Sequence, residues 1–168
     1  MEGSLRTPAM VRYPGHVPPA RKSNEIVHVT DMFTTLLLWA GLIVPADRVI
    51  DGVDQRAFFE GSRSDSNRDG FPYWLGSELY GVKWRNFKLV FAQQKTLTDP
   101  ALRLPNPHLI NLDTDPKERE PIDYPYLHTW VGSHVARILG AFHGSVQREP
   151  LIPAGAPIDF IPSAKPAS

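Results

Sequence analysis

The run Leu79-Tyr80-Gly81-Val82-Lys83-Trp84-Arg85, continued through Asn86 into Phe87-Lys88-Leu89-Val90-Phe91, decides the fold class. Side chains point alternately to the two sides of an extended chain. Tyr80, Val82 and Trp84 are therefore expected on one face, with Lys83 and Arg85 on the other. Phe87, Leu89 and Phe91 repeat the alternation. Two such runs meeting at Arg85-Asn86 predict a β-hairpin, with Asn86 tolerating a positive φ at the turn. Residues 108–112 predict a third strand, closed by Asp113-Thr114-Asp115-Pro116, and residues 71–75 a fourth.

Outward from the hairpin, helical periodicity takes over. Val29, Met32, Phe33, Leu36, Leu37 and Ala40 recur with the spacing of one helix face, so residues 29–40 predict a helix. Thr30 or a neighbour caps its start, Asp31 suits its positive end, and Gly41 with Pro45 stops it. Leu38 and Trp39 lie off the stripe, which implies burial on more than one side. A second helix is expected over residues 127–142 from Leu127, Val131, Val135, Ile138, Leu139 and Phe142. Gly132 and Gly140 each weaken it by about 1 kcal/mol relative to Ala. The fold class is α/β of the α+β kind. A C-terminal antiparallel sheet of three or four strands packs with a helix, preceded by a strand at residues 9–13 and the first helix.

Composition narrows the function classes. The chain has 168 residues, with 18 Lys and Arg against 18 Asp and Glu, and 42% of it is apolar. That balance excludes a disordered polyelectrolyte, a coiled coil and a general nucleic-acid binder. The longest apolar run, residues 36–44, falls short of the ~20 residues that cross a bilayer, so no membrane partner is expected. Met1-Glu2-Gly3-Ser4-Leu5-Arg6 lacks a signal-peptide core, and localisation stays open. There is no cysteine, hence no disulfide, thiol nucleophile or zinc–thiolate site. The 17 prolines are about twice the usual share of ~5%. They cluster at residues 14–19, 100–107, 116–125 and 150–166, and with the elements they divide the chain into residues 1–60, 65–145 and a Pro-rich extended tail over 146–168. Ile152, Ile158, Phe160 and Ile161 favour packing of that tail; otherwise it is disordered.

Candidate chemistry is sparse. The six histidines, His16, His28, His108, His128, His134 and His143, show no HExxH or His-x-His pattern. His28-Val29-Thr30-Asp31 places an imidazole near a carboxylate, as a metal or acid–base pair or, more simply, as a helix-start hydrogen bond. Asp47, Asp51 and Asp54 lack the alternation and terminal Glu of a calcium loop, so a turn is the better reading, as it is for Asp113 and Asp115. Arg6 suits an anion or a structural salt bridge. Lys83, Trp84, Arg85 and Lys88 set cations beside aromatics, a nucleic-acid or sugar platform or simply the solvated outer face of a sheet. No Gly-x-Ser-x-Gly elbow, phosphate loop or dinucleotide fingerprint is present.

Resemblance goes further. Glu2-Gly3-Ser4-Leu5-Arg6-Thr7-Pro8 followed by Tyr13-Pro14-Gly15 resembles the sulfatase segment E-G-G/S-x-R-x-P with its following W-P-G. His28-Val29-Thr30-Asp31-Met32-Phe33-Thr34-Thr35-Leu36-Leu37 with Ala40-Gly41 resembles that family's H-x-D-x-x-P-T-L helix, with Thr34 where proline is usual. Asp51-Gly52-Val53-Asp54 and Phe58-Phe59-Glu60-Gly61 resemble its next segment. The hairpin resembles A-V-R-x-x-x-W-K-L, and His108-Leu109-Ile110-Asn111-Leu112-Asp113-Thr114-Asp115-Pro116-Lys117-Glu118 resembles L-Y-D-L-x-x-D-P-x-E. The motifs stand in family order over residues 2–118.

The chain thus resembles the C-terminal portion of an arylsulfatase-like protein of the alkaline-phosphatase superfamily. The resemblance implies a sulfuric ester hydrolase, with residues 1–60 as the C-terminal edge of its catalytic domain and residues 65–145 as a small antiparallel subdomain. It implies a formylglycine nucleophile made in a C/S-x-P-x-R motif, and calcium held by aspartates, for a full-length member. None of Ser4, Ser23, Ser62, Ser64, Ser66, Ser77, Ser133, Ser145 or Ser163 has the followers of that motif. No catalytic or metal-ligating role therefore passes to any residue, no cofactor is expected within this chain, and the chain alone is expected to be inactive. The substrate of a full-length form would be a sulfate ester, in a periplasmic or secreted setting. Two other readings stand beside this one: a carbohydrate-binding or interaction module using Trp74, Tyr80 and Trp84, and a truncated-gene remnant. Association through an exposed edge of residues 1–60 is expected.

Overall fold

The computed structural model describes residues 2–94, 96, 98–150, 152 and 155–157. A short helix α1 (Glu2–Leu5) opens the chain, followed by α2 (Val29–Trp39) and α3 (Arg56–Phe59). Four strands come next, β1 (Gly70–Leu75), β2 (Glu78–Trp84), β3 (Phe87–Gln93) and β4 (Leu102–Asn111). A 3-10 turn, Pro125–His128, leads into the last helix, α4 (Thr129–Arg148). The strands form one antiparallel sheet in the order β1-β2-β3-β4. Among the described residues no helix is long and apolar enough to cross a membrane. Of the tail residues expected to pack, Ile152 is exposed, while Ile158, Phe160 and Ile161 lie outside the described residues.

The hairpin forms in the predicted register, Trp84 opposite Phe87. Its positive φ falls on Arg85, at 47°, and not on Asn86 as expected. Asn86 instead binds the end of β4. Its carbonyl accepts the Leu112 N–H at 2.7 Å, and its Nδ2 donates to Asp113 Oδ2 at 2.6 Å.

Both faces of the sheet are covered. On one, Val82, Trp84 and Leu109 pack with Val131, Val135 and Ile138 of α4, joined by Phe87, Leu89 and Phe91. On the other, Tyr73, Tyr80, Val90, Ala92 and Ile110 gather with Leu5 and Phe71. Tyr80 therefore departs from its predicted companions Val82 and Trp84. The cause is a bulge: Tyr73 pairs with Gly81 and Trp74 with Leu79, leaving Tyr80 as the extra residue of β2. An extra residue reverses the alternation beyond it. A larger irregularity on β4 skips from His108 to Arg103 between the partners of Val90 and Ala92, where Pro105 and Pro107 have no N–H to give the ladder.

Two expectations about the first sixty residues are corrected. Residues 9–13 are not a strand: among the described residues they have no ladder partner, and an isolated extended segment cannot satisfy its own backbone. Helix α2 forms, but turned inside out. Its buried residues are Asp31, Thr34 and Thr35, while Val29 is 78%, Phe33 50% and Leu36 53% exposed. Polar anchoring of the opposite face, described next, sets that orientation. Helix α4 begins two residues later than residue 127 and continues to Arg148, past the predicted end at 142.

Candidate functional site

The first cluster of chemistry-bearing side chains is built on the start of α2. His28 is the N-cap, and its N–H donates to Asp31 Oδ2 at 2.9 Å, closing a capping box. The His28 ring nitrogen Nδ1 lies 2.9 Å from Thr30 Oγ1, and the ring packs against Phe71. The imidazole thus serves the helix start and does not pair with the Asp31 carboxylate. Burial pulls the His28 pKa below the usual histidine range, helped by the nearby Arg68 charge.

Asp31 is fully buried and takes many donors. Arg68 Nε lies 3.0 and 2.9 Å from its two oxygens and Arg68 Nη2 2.6 Å from Oδ1, a bidentate clamp. The Val53 N–H donates at 3.0 Å and Gln55 Nε2 at 3.3 Å. Burial works to raise this carboxyl, but Arg68 and the two backbone donors outweigh it and hold it below the usual range. Gln55, also fully buried, accepts from Ser66 Oγ and from the Asn67 N–H, each at 3.1 Å, and Ser66 Oγ lies 2.5 Å from the Ile26 carbonyl. Every buried polar group named here has a partner, which makes the cluster a structural joint.

The second cluster lies on the sheet face opposite α4. Lys83 and Lys88 are directly opposed in the β2–β3 ladder, an arrangement that repels unless an acid intervenes. Glu2 of α1 intervenes, one oxygen contacting Lys83 and the other 2.7 Å from Lys88 Nζ. Lys88 also meets Glu118 Oε1 at 2.7 Å and is wholly buried. The expected solvated face of cations is therefore corrected: α1 and the segment carrying Glu118 cover it. Burial raises the Glu2 carboxyl, and the two lysines more than reverse that, leaving it below its usual range.

The remaining candidates stand apart. Asp47 pairs with Arg48 at 2.7 Å and Asp54 with Arg56 at 2.9 Å. Asp51 contributes its carbonyl to Arg68 at 2.6 Å. Asp115 Oδ2 accepts the Glu120 N–H at 2.9 Å. Arg6 donates to Asn24 Oδ1 at 2.6 Å. Among the described residues no group of three or more His, Asp or Glu is placed to hold a metal ion. Tyr80 is 5% and Trp84 7% exposed, on opposite faces of the sheet. Trp74 is 39% exposed and leans on Phe142, so these three aromatics do not form one sugar-stacking platform.

Sequence reasoning missed Arg68, Gln55, Ser66, Glu2 and Glu118 as members of these clusters. The opposed lysines were legible once the hairpin register was predicted, and they required an acid. Its position, 81 residues before Lys83 in the chain, carried no local signal.

The comparisons with known proteins agree with this architecture. A family model described as N-sulphoglucosamine sulphohydrolase, C-terminal, matches residues 1–124. The N-acetylgalactosamine-6-sulfatase of Canis lupus familiaris is 39% identical over 90 residues, covering 54% of this chain and 17% of that protein. The Mus musculus protein of the same name is 47% identical over 88 residues, covering 52% of this chain and 16% of its own length. The steryl-sulfatase of Homo sapiens is 27% identical over 149 residues, covering 72% and 24%. The chain thus spans less than a quarter of the length of these curated relatives. A crystal structure of a sulfatase from Pseudoalteromonas sp. shares the fold with a TM-score of 0.72 at 22% identity, over 84% of this chain and 30% of that one.

Proposed function

This chain belongs to the N-sulphoglucosamine sulphohydrolase C-terminal family, and on that premise we propose that it is the C-terminal part of a sulfuric ester hydrolase and is inactive by itself. A full-length form would convert a sulfate ester and water into an alcohol and sulfate. The observation that carries the reading is the family match over residues 1–124. The sequence holds no cysteine, and none of its serines stands in a C/S-x-P-x-R motif, so it offers no residue in the setting that is converted to formylglycine. Sulfate transfer also needs fixed positive charge around the departing oxyanion. Lys83, Lys88 and Arg68, the cations nearest to buried positions, are all neutralised by carboxylates and supply none of it.

In this reading the calcium and formylglycine chemistry belongs to sequence that this chain does not contain. What its own residues do is hold a rigid body together through the Asp31 and Lys88 joints. The test is hydrolysis of 4-nitrophenyl sulfate by the purified 168-residue chain with added calcium. No turnover is expected, and turnover above the uncatalysed rate would overturn the inactivity. Reading the coding DNA upstream of residue 1 for C/S-x-P-x-R tests the assignment to a longer enzyme. An upstream frame without the motif counts against it.

A further inference from the structure

Helix α4 lies over β1 and β2, and Ile122, whose N–H donates to the Leu109 carbonyl at 2.8 Å, packs over the end of β4. Among the described residues the start of β4 has no such cover. There a cleft of about 320 Å³ is lined by Leu79, Phe91, Pro105, Pro107 and Leu139, with Arg103 at its rim. Pro105 and Pro107 are exposed. Among the described residues the Arg103 side chain meets only Glu78, through Nε at 3.0 Å. Leu139 belongs to α4, whose last residue, Arg148, stands nine positions or about 14 Å further along the helix. From there the chain runs on to Ser168. Two described residues of that run are informative. Gly155 takes a φ of 79°, a turn that redirects the chain, and Ala156 beside it is half-buried.

We infer that this cleft seats the chain's own run Ile158-Asp159-Phe160-Ile161, which lies outside the described residues. Composition, reach and charge select that occupant. Pro157 and Pro162 bracket the run and bar a helix through it, so its apolar side chains leave water only by meeting the body of the chain. Ile158 stands ten positions beyond Arg148, a reach of up to ~33 Å, more than the helix length back to Leu139. Arg103 is the one charged residue among those lining the cleft, and Asp159 is the one charged residue of the run. A second copy fits poorly. The cleft's seven lining residues fall short of the roughly 20–30 per side of a stable interface. A tethered segment also acts at an effective concentration of about millimolar, above that of a free competitor. The proposal is independent of the hydrolase reading.

The test uses the whole 168-residue chain, which has no cysteine, so that one introduced thiol reports on one position. Under native conditions Ile158→Cys should react with an aromatic disulfide reagent at least about tenfold more slowly than Ser168→Cys, and equally fast in urea. Adding Pro107→Asp should remove that protection, and Pro105→Asp serves if the first variant loses its native circular dichroism. An Ile158→Cys thiol as reactive as that of Ser168→Cys overturns the proposal. Protection that survives a charge in the cleft overturns it too, because the run is then seated elsewhere. So does protection that appears only with a dimer in light scattering, because the occupant is then a second copy. A pair of thiols checks the place directly. Ile158→Cys with Pro107→Cys should close an intramolecular disulfide in oxidised glutathione, whereas Ile158→Cys with Ser133→Cys, on the exposed side of α4, should not. Equal closure of the two pairs overturns the seat.

Discussion

Lys88 shows how a single side chain decides whether two parts of this molecule hold together. It stands opposite Lys83 in the ladder and meets the carboxylates of Glu2 and Glu118 with no access to water. Removing one member of a buried ion pair leaves the other charged and desolvated, at a cost of about 3–5 kcal/mol. Lys88→Met, which keeps most of the volume, should therefore lower stability by about 3–5 kcal/mol in urea denaturation at neutral pH. Glu2 and Asp31 also set the response to acid. Both carboxyls lie below their usual values in the folded chain, so the unfolded chain takes up protons first as pH falls. Their stabilisation is complete above about pH 5, declines through the unfolded carboxylate range near 4, and is lost as pH passes the lower folded values. Arg68→Met removes the clamp that outweighs burial at Asp31, so its acid-unfolding midpoint should move to higher pH than that of the unaltered chain. An unchanged midpoint, followed by circular dichroism from pH 7 to 2, would show that the clamp does not govern it. The Arg68–Asp31 joint was invisible in sequence because 37 residues separate the pair, whereas the local His28–Asp31 capping was readable from the motif itself.

At the scale of elements, periodicity located the hairpin and both long helices, and tertiary contacts decided which side each presents. The stripe of α2 is real, but Asp31 and Thr35 bind inward and turn the stripe outward: the Gln55 N–H donates to Thr35 Oγ1 at 3.1 Å. No windowed count of apolar residues distinguishes a helix that buries its stripe from one that offers it to another layer. Likewise, alternation assigned Val82 and Trp84 correctly and failed at Tyr80, because a bulge leaves no signature in hydrophobicity. The packing of α4 on the sheet turns on Gly70. A Cβ there would run into Ile138 Cδ1 of the helix and into the Lys83 carbonyl. Gly70→Ala should destabilise by about 1–3 kcal/mol through overpacking. Ile138→Val should relieve only the helix side of that clash, because the Lys83 carbonyl is backbone and cannot withdraw. A double variant as stable as Ile138→Val alone, measured by urea denaturation, would place the whole effect on the helix.

For the molecule as a whole, the contacts that unite it run from the start of the chain to the sheet and from α2 to the segment just before β1. Glu2 reaches Lys83 and Lys88, Leu5 joins the aromatic side of the sheet, and Arg68 and Ser66 reach back to Asp31 and Ile26. Between these ties, residues 7–27 hold few backbone hydrogen bonds, those from His16 and Val17 to the Tyr13 carbonyl. Segments of that kind open locally long before the rest unfolds and are where proteases enter. Trypsin should therefore cut first at exposed Arg12 or at Lys22, while residues 29–60 resist as well as residues 65–145 do. The same digestion decides whether the chain divides between residues 60 and 65: equal resistance would make both parts one cooperative unit, and early loss of residues 29–60 would instead support a boundary there. The nicked chain should also stay whole under native conditions, because α1 remains bound through Glu2 and Leu5. In the Lys88→Met background the released N-terminal peptide has lost its buried cation and should separate on gel filtration, with mass spectrometry identifying it. A peptide that leaves the unaltered chain as readily as the variant would show that Lys88 does not fasten it.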